Sequence, residues 1–96
     1  MTYPIIPELY GIVARKLLDE IGAKNYYSGS FGFDYGSREC RFVASIVVYR
    51  SIVRMPEGDV GRIDDLVPIW WEFHTFDAAG EHSNDFSFPE LKEYLS

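Results

Sequence analysis

The chain has 96 residues, 47% of them hydrophobic and 17% aromatic, with a formal net charge of −6 and one cysteine. That length suits a single domain over residues 1–96, and the apolar content excludes a disordered chain. Cys40 alone excludes an intramolecular disulfide and every zinc site that needs two or more thiolates.

The first element is a helix from about Pro7 to Ile21. Proline costs no hydrogen bond at the first helical position, and Glu8 suits the positive end of the helix dipole. Leu9, Ile12, Val13, Leu17 and Ile21 recur at helical spacing, with Arg15, Lys16, Asp19 and Glu20 opposite. Gly22 is placed to end the helix with a positive φ.

A strand follows from Tyr26 to Tyr35. Tyr27, Phe31, Phe33 and Tyr35 share one parity, and Ser28, Ser30, Gly32 and Asp34 the other, which is the period of a strand. Gly36-Ser37 signals a turn. The second strand is expected from about Glu39 to Ser51, reaching Arg54 at most. It is apolar on both faces, as a central strand is. Residues 55–61 combine a proline, two glycines and acidic side chains, so they predict a loop.

The third strand is expected from about Asp65 to Asp77, with Pro68 at its start, at a bulge or on an edge. Residues 78–85 predict a polar connection. Ser87-Phe88-Pro89-Glu90 has capping-box spacing ahead of a short helix lined by Phe88, Leu91 and Leu95. Helix, three strands and helix imply an α+β two-layer sandwich: a three-stranded antiparallel meander with helices on one face. The expected core is Leu9, Val13, Leu17, Ile21, Phe31, Phe33, Phe42, Ala44, Ile46, Val48, Ile69, Trp71, Phe73 and Leu91. Cys40 is expected as a small buried hydrophobe.

The third strand carries the main functional signal. Alternation sends Trp71 and Phe73 one way, and Trp70, Glu72, His74 and Phe76 the other, beside Tyr49 of the second strand. One face is explained by a helix-covered core; the other is left with rings that need a cover or a partner. Candidate covers are residues 3–6 and the 55–65 segment. Without them, Tyr49, Trp70, Glu72, His74 and Phe76 make a partner-binding face for another protein or a homodimer.

Other chemistries are weaker. Glu72, His74 and His82, with Asp77, Glu81 and Asp85 nearby, suggest an acid/base or metal-assisted site. No metal motif spacing is present, however, and no nucleophile or orienting third group can be named. No phosphate-binding loop is present either. A non-enzymatic domain without metal or cofactor is therefore expected. Residues 55–96 carry 2 basic and 10 acidic groups, which disfavours nucleic acid and suggests, as an alternative, an acidic inhibitor or immunity-type protein blocking a basic surface. Arg38, Arg41, Arg50 and Arg54 suit either an acidic partner or the chain's own carboxylates.

No stretch nears the ~20 apolar residues that cross a bilayer, and the first seven residues do not resemble an export signal. A cytoplasmic protein is expected. The element order resembles that of double-stranded RNA-binding domains, in topology only. Where those domains present a lysine cluster, this chain has Phe88-Pro89-Glu90-Leu91-Lys92-Glu93, so the resemblance does not imply RNA binding.

Overall fold

In the computed structural model, which describes residues 2–95, helix α1 runs over Pro7–Ile21. Ile6 precedes it without a side-chain cap, and Gly22 ends it at φ +53° with its N–H donating to Leu18 O at 3.0 Å. Leu9, Tyr10, Val13, Ala14, Leu17 and Ile21 are buried along one stripe, so amphipathic spacing sets the face that meets the sheet.

That sheet has five strands, β1 (Thr2–Tyr3), β2 (Tyr26–Tyr35), β3 (Arg38–Met55), β4 (Gly58–Asp77) and β5 (Gly80–Asn84), before helix α2 (Phe88–Lys92). Their order is β1-β5-β4-β3-β2, antiparallel throughout except for the parallel β1–β5 pair. The fold is α+β, but the expected three-stranded meander is only the centre of a mixed sheet. Both extra strands are short and polar, with none of the alternation that reveals a strand in sequence. The expected connection at 78–85 is a two-residue turn at Ala78-Ala79 followed by β5. Gly80, at φ +115°, follows that turn.

The second difference is the length of the β3–β4 hairpin. The expected loop at 55–61 is only its tip: Met55 pairs with Gly58, and the ladder runs back from there. Gly58 takes φ +135°, which favours glycine. Strands of 18 and 20 residues greatly exceed the usual five or six, and they set the long dimension of the molecule, 55 Å. Helix α1, about 22 Å long at 1.5 Å per residue, cannot cover that length. Arg50 marks where its cover ends, donating to Gly22 O at 2.7 Å and Lys24 O at 2.8 Å. Every residue from Ser51 to Arg62 is exposed.

Two irregularities in β4 then fix which side chains are inside. Ser45 pairs with Trp70 but Ile46 with Pro68, so Ile69 is an extra residue; likewise Tyr49 pairs with Asp65 and Arg50 with Ile63, so Asp64 is extra. A bulge of one residue reverses the parity of everything beyond it. Ile69, expected in the core, is therefore 61% exposed, and Leu66 takes the core position at 2%. Pro68 sits beside the first bulge on a stretch of β4 that has no neighbour beyond it, which suits a residue without an N–H.

Beneath the helices, Phe42, Ala44, Ile46 and Val48 of β3 meet the α1 stripe and Leu91 of α2 in one cluster. Phe31, Phe33 and Trp71 are half-buried at its margin. Phe86, assigned to no element by the sequence, becomes an aromatic hub. Its ring stacks on Phe73 at 4.3 Å and contacts Tyr10, Phe42 and Trp71 at 5.1–5.9 Å. The Ser87–Glu90 spacing makes no side-chain cap bond among the described residues; instead Ser87 N–H donates to Tyr10 Oη at 3.1 Å. Cys40 is fully buried and burial pushes its thiol pKa up, the setting of an inert cysteine.

The bulge makes a contrast that urea denaturation can read. Leu66→Ala is expected to cost about 2–5 kcal/mol, whereas Ile69→Ala should stay within about 0.5 kcal/mol of wild type. Equal losses at the two positions would contradict the register.

Candidate functional site

The face of the sheet opposite the helices is built by odd-numbered residues of β3 and their cross-strand partners. Ladder pairing places Arg41 beside His74, Val43 beside Glu72, Ser45 beside Trp70, Val47 beside Val67 and Tyr49 beside Asp65. Tyr49, Trp70, Glu72, His74 and Phe76 therefore share one face. Trp70 is 46% exposed and Tyr49 55%. The adjacent indole of Trp71 points the other way, its ring 5.6 Å from Phe86 and 6.4 Å from Phe88.

Neither candidate cover lies on this face. Residues 2 and 3 join the sheet edge beside β5, and residues 55–65 continue the hairpin in line with the sheet. Across the face, Ser28 and Ser45 hydrogen-bond to each other at 3.1 Å. With Ser30 and Gly32 they leave a low floor on which Trp70 stands proud.

Residues not singled out from the sequence extend the same surface. Tyr26 and Val67 are exposed on either side of Val47. Further out, Val53 pairs with Val60 and Met55 with Gly58, all on the side of Tyr49. Of the ten large hydrophobic residues exposed among the described residues, seven lie on this side: Tyr26, Tyr49, Val53, Met55, Val60, Val67 and Trp70. The signal was the odd parity of β3, which continues unbroken past Tyr49 once 55–61 is a turn rather than a loop.

At the end of the face away from the hairpin tip, charge replaces hydrophobicity. His74 is held between two carboxylates, Nδ1 at 2.7 Å from Glu81 Oε2 and Nε2 at 2.9 Å from Glu72 Oε2. Both nitrogens donate only in the imidazolium, so Glu81 first and Glu72 second raise its pKa above 6.5, against the opposing effect of burial. Arg41 lies across from it on β3, and Asp34 and Glu39 lie across from Phe76, two residues further along the strand.

His82 does not join this group. It pairs with buried Thr75, on the opposite side of the sheet, where its ring stacks on Tyr3 at 4.7 Å and Nε2 lies 2.8 Å from Asp77 Oδ1. Tyr3 Oη donates to the other oxygen of Asp77, and Arg38 lies 3.9 Å over the Tyr3 ring. This cluster fastens the two-residue β1 to the sheet. Glu72, His74 and His82 are thus split between two faces, and among the described residues no group of three or more His, Cys, Asp or Glu is placed to hold a metal ion.

Of the four arginines in 38–54, Arg50 serves the helix end and Arg38 the Tyr3 ring. No helix among the described residues is long and apolar enough to cross a membrane. No protein-family model, curated protein or solved structure matches the chain.

The two histidine–carboxylate groups give pH dependences of opposite sign. A raised folded pKa at His74 makes its contribution to stability full below the unfolded value near 6.5. It is lost as pH rises through the higher folded value. His74→Gln should flatten the alkaline-side decline in thermal midpoint, and an unchanged profile would contradict a charged His74. Asp77 is lowered from 3.8 to about 2, first by the Tyr3 hydroxyl and then by His82. Its contribution is lost as pH falls between those values. Tyr3→Phe should move the Asp77 titration upward when followed by carboxyl NMR.

Proposed function

We propose that this chain is a small, non-enzymatic, cytoplasmic protein-interaction domain that engages a protein partner or a second copy of itself through the open sheet face. The single observation that carries the reading is the exposed Trp70, standing over serines and flanked by Tyr49, Tyr26 and Val67 on a face with no cover among the described residues. Tryptophan and tyrosine are the side chains most often found as interface anchors, and a contiguous apolar surface of this kind is unusual on a protein that works alone. A reducing compartment suits a buried free thiol at Cys40.

The acidic-inhibitor alternative draws less support, because many of the carboxylates in the acidic half already have partners within the chain. Asp65 pairs with Lys92 at 2.7 Å, Asp85 accepts from Ile5 N–H at 2.6 Å, and Glu72, Asp77 and Glu81 hold the two histidines.

Trp70→Glu and Trp71→Ala separate surface from core. Trp70→Glu should leave stability within about 0.5 kcal/mol and abolish retention of the partner species that wild type captures, itself included. Binding to wild type should persist in 0.5 M salt, unlike contacts made by exposed charges. Trp71→Ala should cost about 3 kcal/mol through lost packing. Equal capture by wild type and Trp70→Glu, or capture that vanishes with salt alone, would overturn the reading.

A further inference from the structure

We infer that the occupant of the open face is a second copy of this chain, docked sheet to sheet with its strands running antiparallel and a two-fold axis crossing the Val47–Val67 pair. The inference rests on the interaction-face reading above and adds the partner and its register.

The first argument is charge. Along the face, the apolar middle of Val47, Val67, Tyr49 and Trp70 separates two unlike ends. The body end carries Asp34, Glu39, Glu72 and Glu81 against Arg41 and His74. On the arm side, from Ser51 to Met55 and from Gly58 to Arg62, the ladder brings one charged residue to this face: Arg62. Arg62 lies 3.6 Å from Asp64, which also accepts from Ser51 Oγ at 3.0 Å, and Asp65, beside Tyr49, is paired with Lys92 at 2.7 Å. The Arg62 side chain is 70% exposed and that contact is long, so it can reach a partner. A reversed second copy brings Arg62, the cation on the arm side of this face, to the acidic body end of its mate.

The second argument is register. A two-fold axis across the strands lays β3 over β3 and β4 over β4, and exchanges positions equally far from Val47–Val67. Ser51–Arg62 lies four β3 residues to one side, about 13 Å at ~3.3 Å per residue; Val43–Glu72 lies four to the other. Arg62 of each copy therefore falls over Glu72 of its mate. Two residues from the axis, Tyr49 falls over Ser45, onto the serine floor beside Trp70. On β3 a tall ring thus meets a low site on both sides of the axis, while on β4 the same operation sets Trp70 over Asp65, whose carboxylate is held by Lys92.

The third argument is area. Counted as two to three strands at ~4.8 Å and about sixteen residues at ~3.3 Å, the face projects to roughly 500–760 Å². That approaches the ~800 Å² per partner buried in stable interfaces of standard size. The body of the face alone, without the hairpin arm, falls well short. The arm that has no core of its own thus supplies the contact a stable pair needs.

Sedimentation velocity over a 100-fold concentration range tests the assignment on wild type, Trp70→Glu, Arg62→Glu, Glu72→Arg and an equimolar mixture of the last two. Wild type is expected to form a dimer that Trp70→Glu abolishes. Each charge reversal alone sets like charges together twice across the axis and should weaken the dimer at least about tenfold. The mixture restores opposite charges at both contacts and should recover dimers made of one copy of each variant. A wild type that stays monomeric throughout overturns the second copy as occupant, leaving the face itself to be judged by partner capture. A dimer lost with Trp70→Glu but indifferent to both charge reversals overturns the register. A dimer that survives Trp70→Glu overturns the use of this face altogether.

Discussion

Fifteen residues of helix against eighteen and twenty of strand is the mismatch that shapes this molecule. A helix rises about 1.5 Å per residue and a strand about 3.3 Å, so α1 shields less than half of the hairpin beneath it. Within its reach the sheet has a dry side of Phe42, Ala44, Ile46 and Val48. Beyond Arg50, which closes the helix end, the same two strands run on as a bare ribbon. A two-stranded ribbon is marginal in water on its own. Its ladder persists here because it continues a register already fixed inside the core. Both the uncovered face and the unsupported arm follow from there being one helical layer, and a short one.

Much of this was legible from local pattern. Pro7, Gly22 and the apolar stripe between them fixed α1 at both ends, and the Tyr27-Phe31-Phe33-Tyr35 parity fixed β2 at both ends. The opposed indoles were legible too, because Trp70 and Trp71 lie on the regular side of the bulge. What failed had physical causes of a different kind. A bulge inserts one residue without any compositional mark other than the neighbouring proline, so Ile69 looked like core and Leu66 did not. Strand β1 is defined by pairing across more than 75 positions of sequence, Tyr3 with Asn84, and β5 by three pairs with the end of β4; nothing within either polar segment announces a strand. Phe86 lies in an irregular stretch where periodicity says nothing about burial.

Among the five residues proposed as an interaction face, the sequence grouped side chains that the structure also groups, while His82 was misplaced. Its neighbours Glu81 and Asp77 are acidic alike, and only the ladder separates them: Glu81 opposes Phe76 on the open face, while His82 opposes Thr75 on the buried one. A reading from composition alone cannot divide a cluster that the pleat divides. The same alternation extends the open face in the other direction, onto the arm, where Tyr49, Val53 and Met55 of β3 add to a band already begun at Val47.

The contrast between the free edge of β4 and the free face beside it bears on how the chain meets a partner. Exposed edge strands invite indiscriminate pairing, and proteins blunt them with proline, bulges and charge. Between Asp64 and Trp70 this edge has all three: Pro68, extra residues at Asp64 and Ile69, and the adjacent carboxylates of Asp64 and Asp65. No such defence protects the face a few ångströms away, where Trp70, Val67, Tyr26 and Tyr49 stand exposed. Backbone pairing accepts almost any strand, whereas a face of fixed rings and end charges accepts only a surface of matching relief and sign. Under the proposed reading, closing the first route while leaving the second open would confine this domain to one specific contact.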